Sequence, residues 1–309
     1  MLHITEEQAA AALPMRRALE LVEEAFRRLD DGRAQNHPRR RIRLENNAML
    51  HAMDAGDNVS GLLGAKIYAT RPGVGAHFLV VLFDAETTKP LATIEADALG
   101  RIRTGAASGV ATKFLANPDA RVLGMIGSGW QAETQLEACA AVRPFELVKV
   151  YSRKPEKREA FARKMADKLG LKIEAVETAE AAVRESDVVV TITSAKAPVV
   201  EGAWLGEGCH VNAAGSNHAL RREIDGDAVA RAGLIAADSV EQAKEEAGDL
   251  IQAAAEGKLD WSRVVELSGV VSGRLPGRSD AGEVTLFESQ GLALEDLLAA
   301  QEVYENVKG

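Results

Sequence analysis

"RVLGMIGSGWQAETQL", residues 121–136, runs from a short apolar strand into glycines and on into a helix. Val122 to Ile126 is apolar throughout, and Gly127-Ser128-Gly129-Trp130-Gln131-Ala132 follows. Strand, Gly-x-Gly-x-x-Ala, helix is the order of a dinucleotide-binding turn. Gly127 permits the tight turn, Gly129 lets the backbone approach a pyrophosphate, and Ala132 keeps the helix close to the strand. Ser128 and Gln131 lie within the turn and join the candidate phosphate contacts. The helix N-terminus adds unpaired amides and the positive end of its dipole. The next strand, "LVKVYSRK", ends about 25 residues on, where an acidic residue would bond a ribose 2′-hydroxyl and repel a 2′-phosphate. Ser152-Arg153-Lys154 stands there instead. A hydroxyl and two cations suit a 2′-phosphate, so NADP(H) is favoured over NAD(H).

The same alternation continues on the C-terminal side. "DVVVTIT", "HVNAAG" and "GLIAAD" read as strands, with helices such as 155–169 between strands. Strands alternating with helices of this length imply a parallel sheet covered on both faces, an α/β Rossmann domain. On the N-terminal side the pattern differs. Thr5-Glu6-Glu7-Gln8 has capping-box spacing, and Pro14 opens a second helix with Met15, Leu19, Val22, Phe26 and Leu29 at helical spacing. From Arg39 to Ala96, short runs such as "AMLHAM", "LLGAKIYA" and "HFLVVLFD" are separated by turn residues and predict antiparallel hairpins. "DALGRIRTGAASGVATKFLA" reads as a helix of small residues suited to close packing. "TLFESQGLALEDLLAAQEVYENV" reads as one long final helix that returns to the first domain.

Bulk properties narrow the function. The 309 residues suit two domains, and 46% apolar residues supply a core without staples. Two scattered cysteines, Cys139 and Cys209, form no disulfide framework and no metal-ligand spacing, so no metal is expected and a reducing cytoplasm fits. "MLHITEEQAA" has no signal-peptide character, and no stretch approaches the ~20 apolar residues of a membrane span. The net charge of −9 argues against nucleic acid as a partner. "HPRRRIR", residues 37–43, is a basic island in this acidic chain.

Several stretches stand out together: "GAKIYA", "LGRIRTGAASGVATKFLA", the glycine turn, "VNAAGSNHALRREID" and "EVTLFESQGLALEDLLAAQEVY". In this order the sequence resembles the ornithine cyclodeaminase/μ-crystallin family, from roughly Pro38 to the C-terminus. The resemblance implies a homodimer. It also implies an α+β substrate and dimerisation domain, residues 1–116 with 286–309, around a Rossmann domain, residues 117–285. It further implies a small amino- or imino-acid substrate. Lys66 and Arg103 match the residues that hold its carboxylate, and Thr104 matches a position facing the cofactor phosphates. An arginine near Pro38 contacts substrate in the family. Arg39 fits by adjacency and Arg41 by sharing a strand face with it, and the alternative stays open. The backbone near Leu286 would face the nicotinamide. The physics agrees: a carboxylate drawn from water needs paired cations, and arginine offers a fork.

One departure separates the family's reactions. Where cyclodeaminases and alanine dehydrogenases carry an aspartate, Gly215-Ser216-Asn217-His218 places Asn217. An amide can orient an amine but cannot take its proton. Cyclodeamination needs that base, and a positioned base is typically worth about 10²–10⁴-fold. Reduction of an iminium needs hydride and a held carboxylate, with His218, His77 or His51 as proton sources. The expected activity is therefore NAD(P)H-dependent reduction of a small α-imino acid or cyclic ketimine, or its reverse. Alternatives are an ammonia lyase that recycles bound NAD and a non-catalytic ligand carrier.

Overall fold

The computed structural model describes residues 1–309. It forms two compact units, Met1–Thr104 with Gly291–Gly309, and Gly105–Gln290. The chain thus changes unit at 104/105 and 290/291, where the sequence suggests 116/117 and 285/286.

The first unit holds β1 (Leu2–Ile4), α1 (Glu6–Ala12), α2 (Met15–Asp30), β2 (Ala34–Asn36), β3 (Arg40–Arg43), β4 (Met49–Asp57), β5 (Leu62–Arg71), β6 (Gly75–Asp84), β7 (Pro90–Glu95) and the first half of α3 (Asp97–Leu115). The predicted capping box closes α1: Thr5 Oγ1 accepts the Gln8 amide and the Gln8 side chain takes the Thr5 amide. The sheet order is β1-β7-β6-β5-β4-β2, with β3 also on β4. Its neighbours are antiparallel except for β1 beside β7.

The second unit follows with β8 (Val122–Ile126), α4 (Ala132–Val142), β9 (Leu147–Tyr151), α5 (Pro155–Leu169), β10 (Ile173–Ala175), α6 (Ala179–Val183) and β11 (Val188–Thr191). Next come β12 (His210–Ala213), α7 (Gly226–Arg231), β13 (Leu234–Ala237), α8 (Val240–Glu246), α9 (Gly248–Ala255), β14 (Val264–Glu266), α10 (Leu267–Ser272) and β15 (Thr285–Glu288). All eight strands run parallel in the order β10-β9-β8-β11-β12-β15-β13-β14. The two faces carry separate cores: Val188 and Val190 of β11 join Leu123, Met125 and Phe161, while Val189 joins Val211, Ile235 and Leu286. This is the doubly wound Rossmann arrangement.

The stretch expected as one final helix is instead two elements. Thr285–Glu288 is β15, Gly291 turns with φ +80°, and α11 (Ala293–Lys308) returns to the first unit. All four strand residues are buried, because β15 threads between β12 and β13 in the interior of the sheet. A strand buried on both faces has no alternation to announce it.

Small residues in α3 do permit close approach. A Cβ on Gly105 would lie 2.4 Å from the Thr134 carbonyl oxygen of α4. Gly105→Ala should therefore lower the urea midpoint, with a destabilisation of about 1–3 kcal/mol from overpacking against backbone. An unchanged midpoint would show that α3 can shift without penalty.

Candidate active site

In the first unit, α11 lies across β4, β5 and β6. A Cβ on Gly64 would sit 2.6 Å from Leu297 Cδ1, so the glycine sets how near the helix comes. Lys66, on the covered face of β5, donates to Asp296 Oδ1 at 2.8 Å. Arg103 of α3 reaches the same oxygen through Nε at 3.0 Å and Glu295 Oε2 through Nη1 at 2.8 Å. All four side chains are buried, as is Arg39, which lies near enough to act electrostatically on Lys66. Two glycines make room for the cations. A Cβ on Gly100 would fall 2.7 Å from Lys66 Nζ, and one on Gly291 would fall 2.4 Å from Arg103 Nη1. Asp296 Oδ2 is buried and has no hydrogen-bond partner in the chain.

Arg41 does not join this buried set. It is exposed at the end of a cross-strand row, Arg41-His51-Tyr68-Phe78, that runs beside the Lys66 row. His51 stacks on Tyr68 with ring centroids 4.2 Å apart and hydrogen-bonds Thr70 Oγ1 at 2.9 Å. Burial, with Arg41 and Arg39 adding to it, lowers His51 to about 4, so it is neutral at physiological pH. His77 lies on the opposite face of the sheet and is exposed. The rest of the basic island is solvated: Arg40 bonds Asp54 and Arg43 bonds Asn47.

Neighbouring charges set the protonation of this cluster. Burial lowers Lys66 to about 8, with Arg103 and Arg39 adding to the effect and Asp296 opposing it. Burial alone would raise Asp296, but Arg103 and Lys66 hold it below the ordinary carboxylate range. Arg39, Lys66 and Arg103 bring three buried cations to the same unit as the buried Glu295 and Asp296. The sequence reading missed the acidic pair. Its signal was two carboxylates beside Leu294, Leu297 and Leu298 on the buried part of a helix, where charge stays only if paired.

In the second unit, the glycine turn has the geometry that a dinucleotide needs. Gly127 has φ +124°, and a Cβ there would meet the Ile192 carbonyl oxygen at 2.4 Å. Nothing lies within 4 Å of a Cβ built on Gly129, so the backbone there is open to a ligand. Ala132 is fully buried at the start of α4, and Gln131 Oε1 is buried without a partner. Ser128 Oγ donates to Ser152 Oγ at 2.7 Å, which joins the turn to the end of β9. Arg153 and Lys154 are exposed beside it, and Arg158 donates to the Ser152 carbonyl at 3.0 Å. The turn follows β8, whose neighbours β9 and β11 lead the chain to opposite sides of the sheet, the switch point where such folds bind nucleotides. These residues fit a dinucleotide.

The remaining expected residues fall as follows. Thr104 is half-buried and donates to the Gly100 carbonyl at 2.7 Å. Leu286 lies mid-strand, buried, flanked by Val211 and Ile235. Asn217 and His218 are exposed in the loop after β12. Trp130 is also exposed. Of the nearby acids Glu245, Glu246 and Asp249, the last two are buried and Glu245 is exposed.

A carboxylate probe that does not itself titrate, such as pyrrole-2-carboxylate, should bind more weakly as pH rises through about 8, because Lys66 loses its proton there. Lys66→Met should weaken binding roughly 10–100-fold, the worth of one charge-assisted hydrogen bond, and abolish that pH dependence. Calorimetric titration across the range checks both. A dependence that survives in Lys66→Met would assign it to another group.

The sequence profile of the ornithine cyclodeaminase/mu-crystallin family matches residues 3–309. A Delta(1)-pyrroline-2-carboxylate reductase from Bacillus cereus is 41% identical over 74% of this chain and 70% of its own length. The structure of Thermococcus litoralis Delta(1)-pyrroline-2-carboxylate reductase, in complex with NADH and L-proline, superposes with a TM-score of 0.96 at 37% identity, covering 100% of this chain and 98% of that one. An archaeal alanine dehydrogenase dimer with bound NAD gives a TM-score of 0.94 at 34% identity, covering 100% and 96%. The chain therefore belongs to the ornithine cyclodeaminase/μ-crystallin family.

Proposed function

We propose that this protein is an NAD(P)H-dependent oxidoreductase that reduces the C=N bond of a small α-imino acid or cyclic ketimine, and in reverse oxidises the amino acid. The observation that carries this reading is the convergence of three buried cations, Arg39, Lys66 and Arg103, in one cluster. A substrate carboxylate suits such a set. Arginine forks bind that carboxylate in a fixed plane, and exclusion of water strengthens each contact. Of the two arginines near Pro38, burial favours Arg39 for this role and leaves Arg41 at the rim. The apolar row of Tyr68 and Phe78 beside Lys66 suits a small ring or short side chain. Asn217 orients the substrate nitrogen and cannot remove its proton, which favours reduction of a preformed iminium over cyclodeamination. Gly127, Ser128, Gly129 and Gln131 hold the pyrophosphate, and Thr104 keeps the phosphate-facing role that the family resemblance gives it. A bound reduced nicotinamide supplies hydride to the C=N carbon. Ser152, Arg153 and Lys154, with no carboxylate at that strand end, support NADP(H) over NAD(H).

The reading includes a homodimer. The uncovered face of the first unit's sheet exposes Leu50, Leu63, Ile67, Leu79 and Phe83 across β4, β5 and β6. A contiguous apolar face of this kind on a soluble chain is suited to a second copy. The buried free thiols Cys139 and Cys209 suit the cytoplasm, and no helix is long and apolar enough to cross a membrane.

The test is spectrophotometric. Reduced nicotinamide absorbance is followed with NADPH and with NADH, using Δ1-pyrroline-2-carboxylate, Δ1-piperideine-2-carboxylate, and pyruvate with methylamine. Imine-dependent oxidation is expected, faster with NADPH. Arg153→Ala should raise the KM for NADPH roughly 10-fold and leave that for NADH nearly unchanged. Cofactor binding without oxidation by any imine would exclude the reductase and direct attention to a lyase or carrier. In parallel, Ile67→Glu with Leu79→Glu should halve the mass measured by sedimentation, and an unchanged mass would reject this sheet face as the dimer contact.

A further inference from the structure

The loop that carries Asn217 is fastened from beneath by a carboxylate with no part in the reading above. β12 ends at Ala213, and the chain turns through Gly215-Ser216-Asn217-His218. Glu223, fully buried, reaches back under that turn. Its Oε2 accepts from the Gly215 amide at 2.8 Å and from the Thr191 hydroxyl at 2.9 Å. Its Oε1 accepts from the Thr193 amide at 2.6 Å. A Cβ on Gly215 would lie 2.3 Å from Glu223 Oε2, so only glycine lets the backbone settle there. The far end of the loop is anchored separately. Gln252 donates to the Ala219 carbonyl at 3.1 Å, and a Cβ on Gly248 would meet the Arg221 carbonyl oxygen at 1.9 Å. Ser216 and Asn217 therefore span two fixed points, and one of them is the Glu223 carboxylate.

Other carboxyls surround it. Asp249 of α9 accepts the Glu223 and Ile224 amides at 2.7 and 2.8 Å. Glu288, at the end of β15, and Asp238, beyond β13, complete the set. The neighbouring cation is Arg222, which acts on Asp249 and is paired with Glu256. Burial and then Asp249 raise Glu223 to about 7, against the hydrogen bonds from Thr193 and Thr191. Burial raises Asp249 to about 6, and burial with its three acidic neighbours raises Glu288 well above the carboxylate range. These groups share protons, so an apparent titration near neutrality belongs to the set.

We propose that Glu223 is a positioning residue for the reductive step: ionised, it clamps the Asn217 loop through Gly215 and Thr193, and protonation releases it. This rests on the reading of Asn217 as the group that orients the substrate nitrogen. Three donors converge on two oxygens, so a proton on either oxygen sets an O–H against an N–H or O–H donor and removes an acceptor.

The expected pH profile of the intact enzyme has a kcat that falls as pH drops through about 7, with little change in the KM for cofactor. Glu223→Gln keeps the shape but presents an amide donor at every pH. Its kcat should be at least roughly 10-fold lower and flat across this range. Thr191→Val removes one hydrogen bond to the charged form, which raises the titration and moves the acidic limb to higher pH. Amide hydrogen exchange of residues 213–217, corrected for its intrinsic pH dependence, should quicken in the unmodified protein as Glu223 is protonated and be fast throughout in Glu223→Gln. If Glu223→Gln fails to fold, the limb in Thr191→Val decides. An unmoved limb in Thr191→Val, or exchange in this loop indifferent to pH, overturns the proposal. Absent imine turnover with pH-dependent exchange would sink the reductase reading and leave the clamp, and normal turnover with pH-independent exchange would do the reverse.

Discussion

The ion cluster of Lys66, Arg103, Glu295 and Asp296 is the constraint on which the first unit depends. Removing an ammonium or guanidinium from water is strongly unfavourable, and only paired, hydrogen-bonded charge offsets it. The partners come from β5, α3 and α11, which lie far apart in sequence. Each must arrive for the others to stay buried, and deleting one member of such a set typically costs about 3–5 kcal/mol. The glycines at 64, 100 and 291 follow from the same demand, since a methyl group at any of them would push helix or cation out of place. Arg39 adds a third buried cation near Lys66.

The two units treat carboxylates in opposite ways. In the first, cations hold Asp296 ionised below its usual range. In the second, Glu223, Asp249 and Glu288 are pushed upward by burial and by one another. Identical side chains thus give a fixed charge in one place and a proton-sensitive one in the other, set by neighbours alone. The fixed charge keeps Lys66 and Arg103 paired where they are buried. The variable one suits a loop that can be held or released.

Much of this architecture was legible in the sequence, for physical reasons. Hairpin strands half-covered by helices alternate, so β4, β5 and β6 announced themselves, and the strand–glycine–helix order marked the turn at Gly127. The expected Lys66 and Arg103 fall together in one buried cluster. What stayed hidden shares a cause. β15 has four residues buried on both faces and runs directly into helix-forming sequence, so no period distinguishes it. The separation of Arg39 from Arg41 depends on where β3 ends against β4, which side-chain type cannot reveal. Glu223 and the acid pair of α11 matter through contacts with residues remote in the chain, and one sequence carries no mark of those.

The first unit is discontinuous, and this orders its assembly during synthesis. Its sheet and the start of α3 are made first, then the whole second unit, then α11 last. Until α11 emerges, Lys66 and Arg103 have no Asp296 or Glu295 to meet, and β4 to β6 lack that helix over their inner face. The second unit must wait as well, since β15 fills a slot between strands made long before it. A growing chain of this protein therefore carries open sheet surface in the second unit until β15 is made, and in the first until α11 is made.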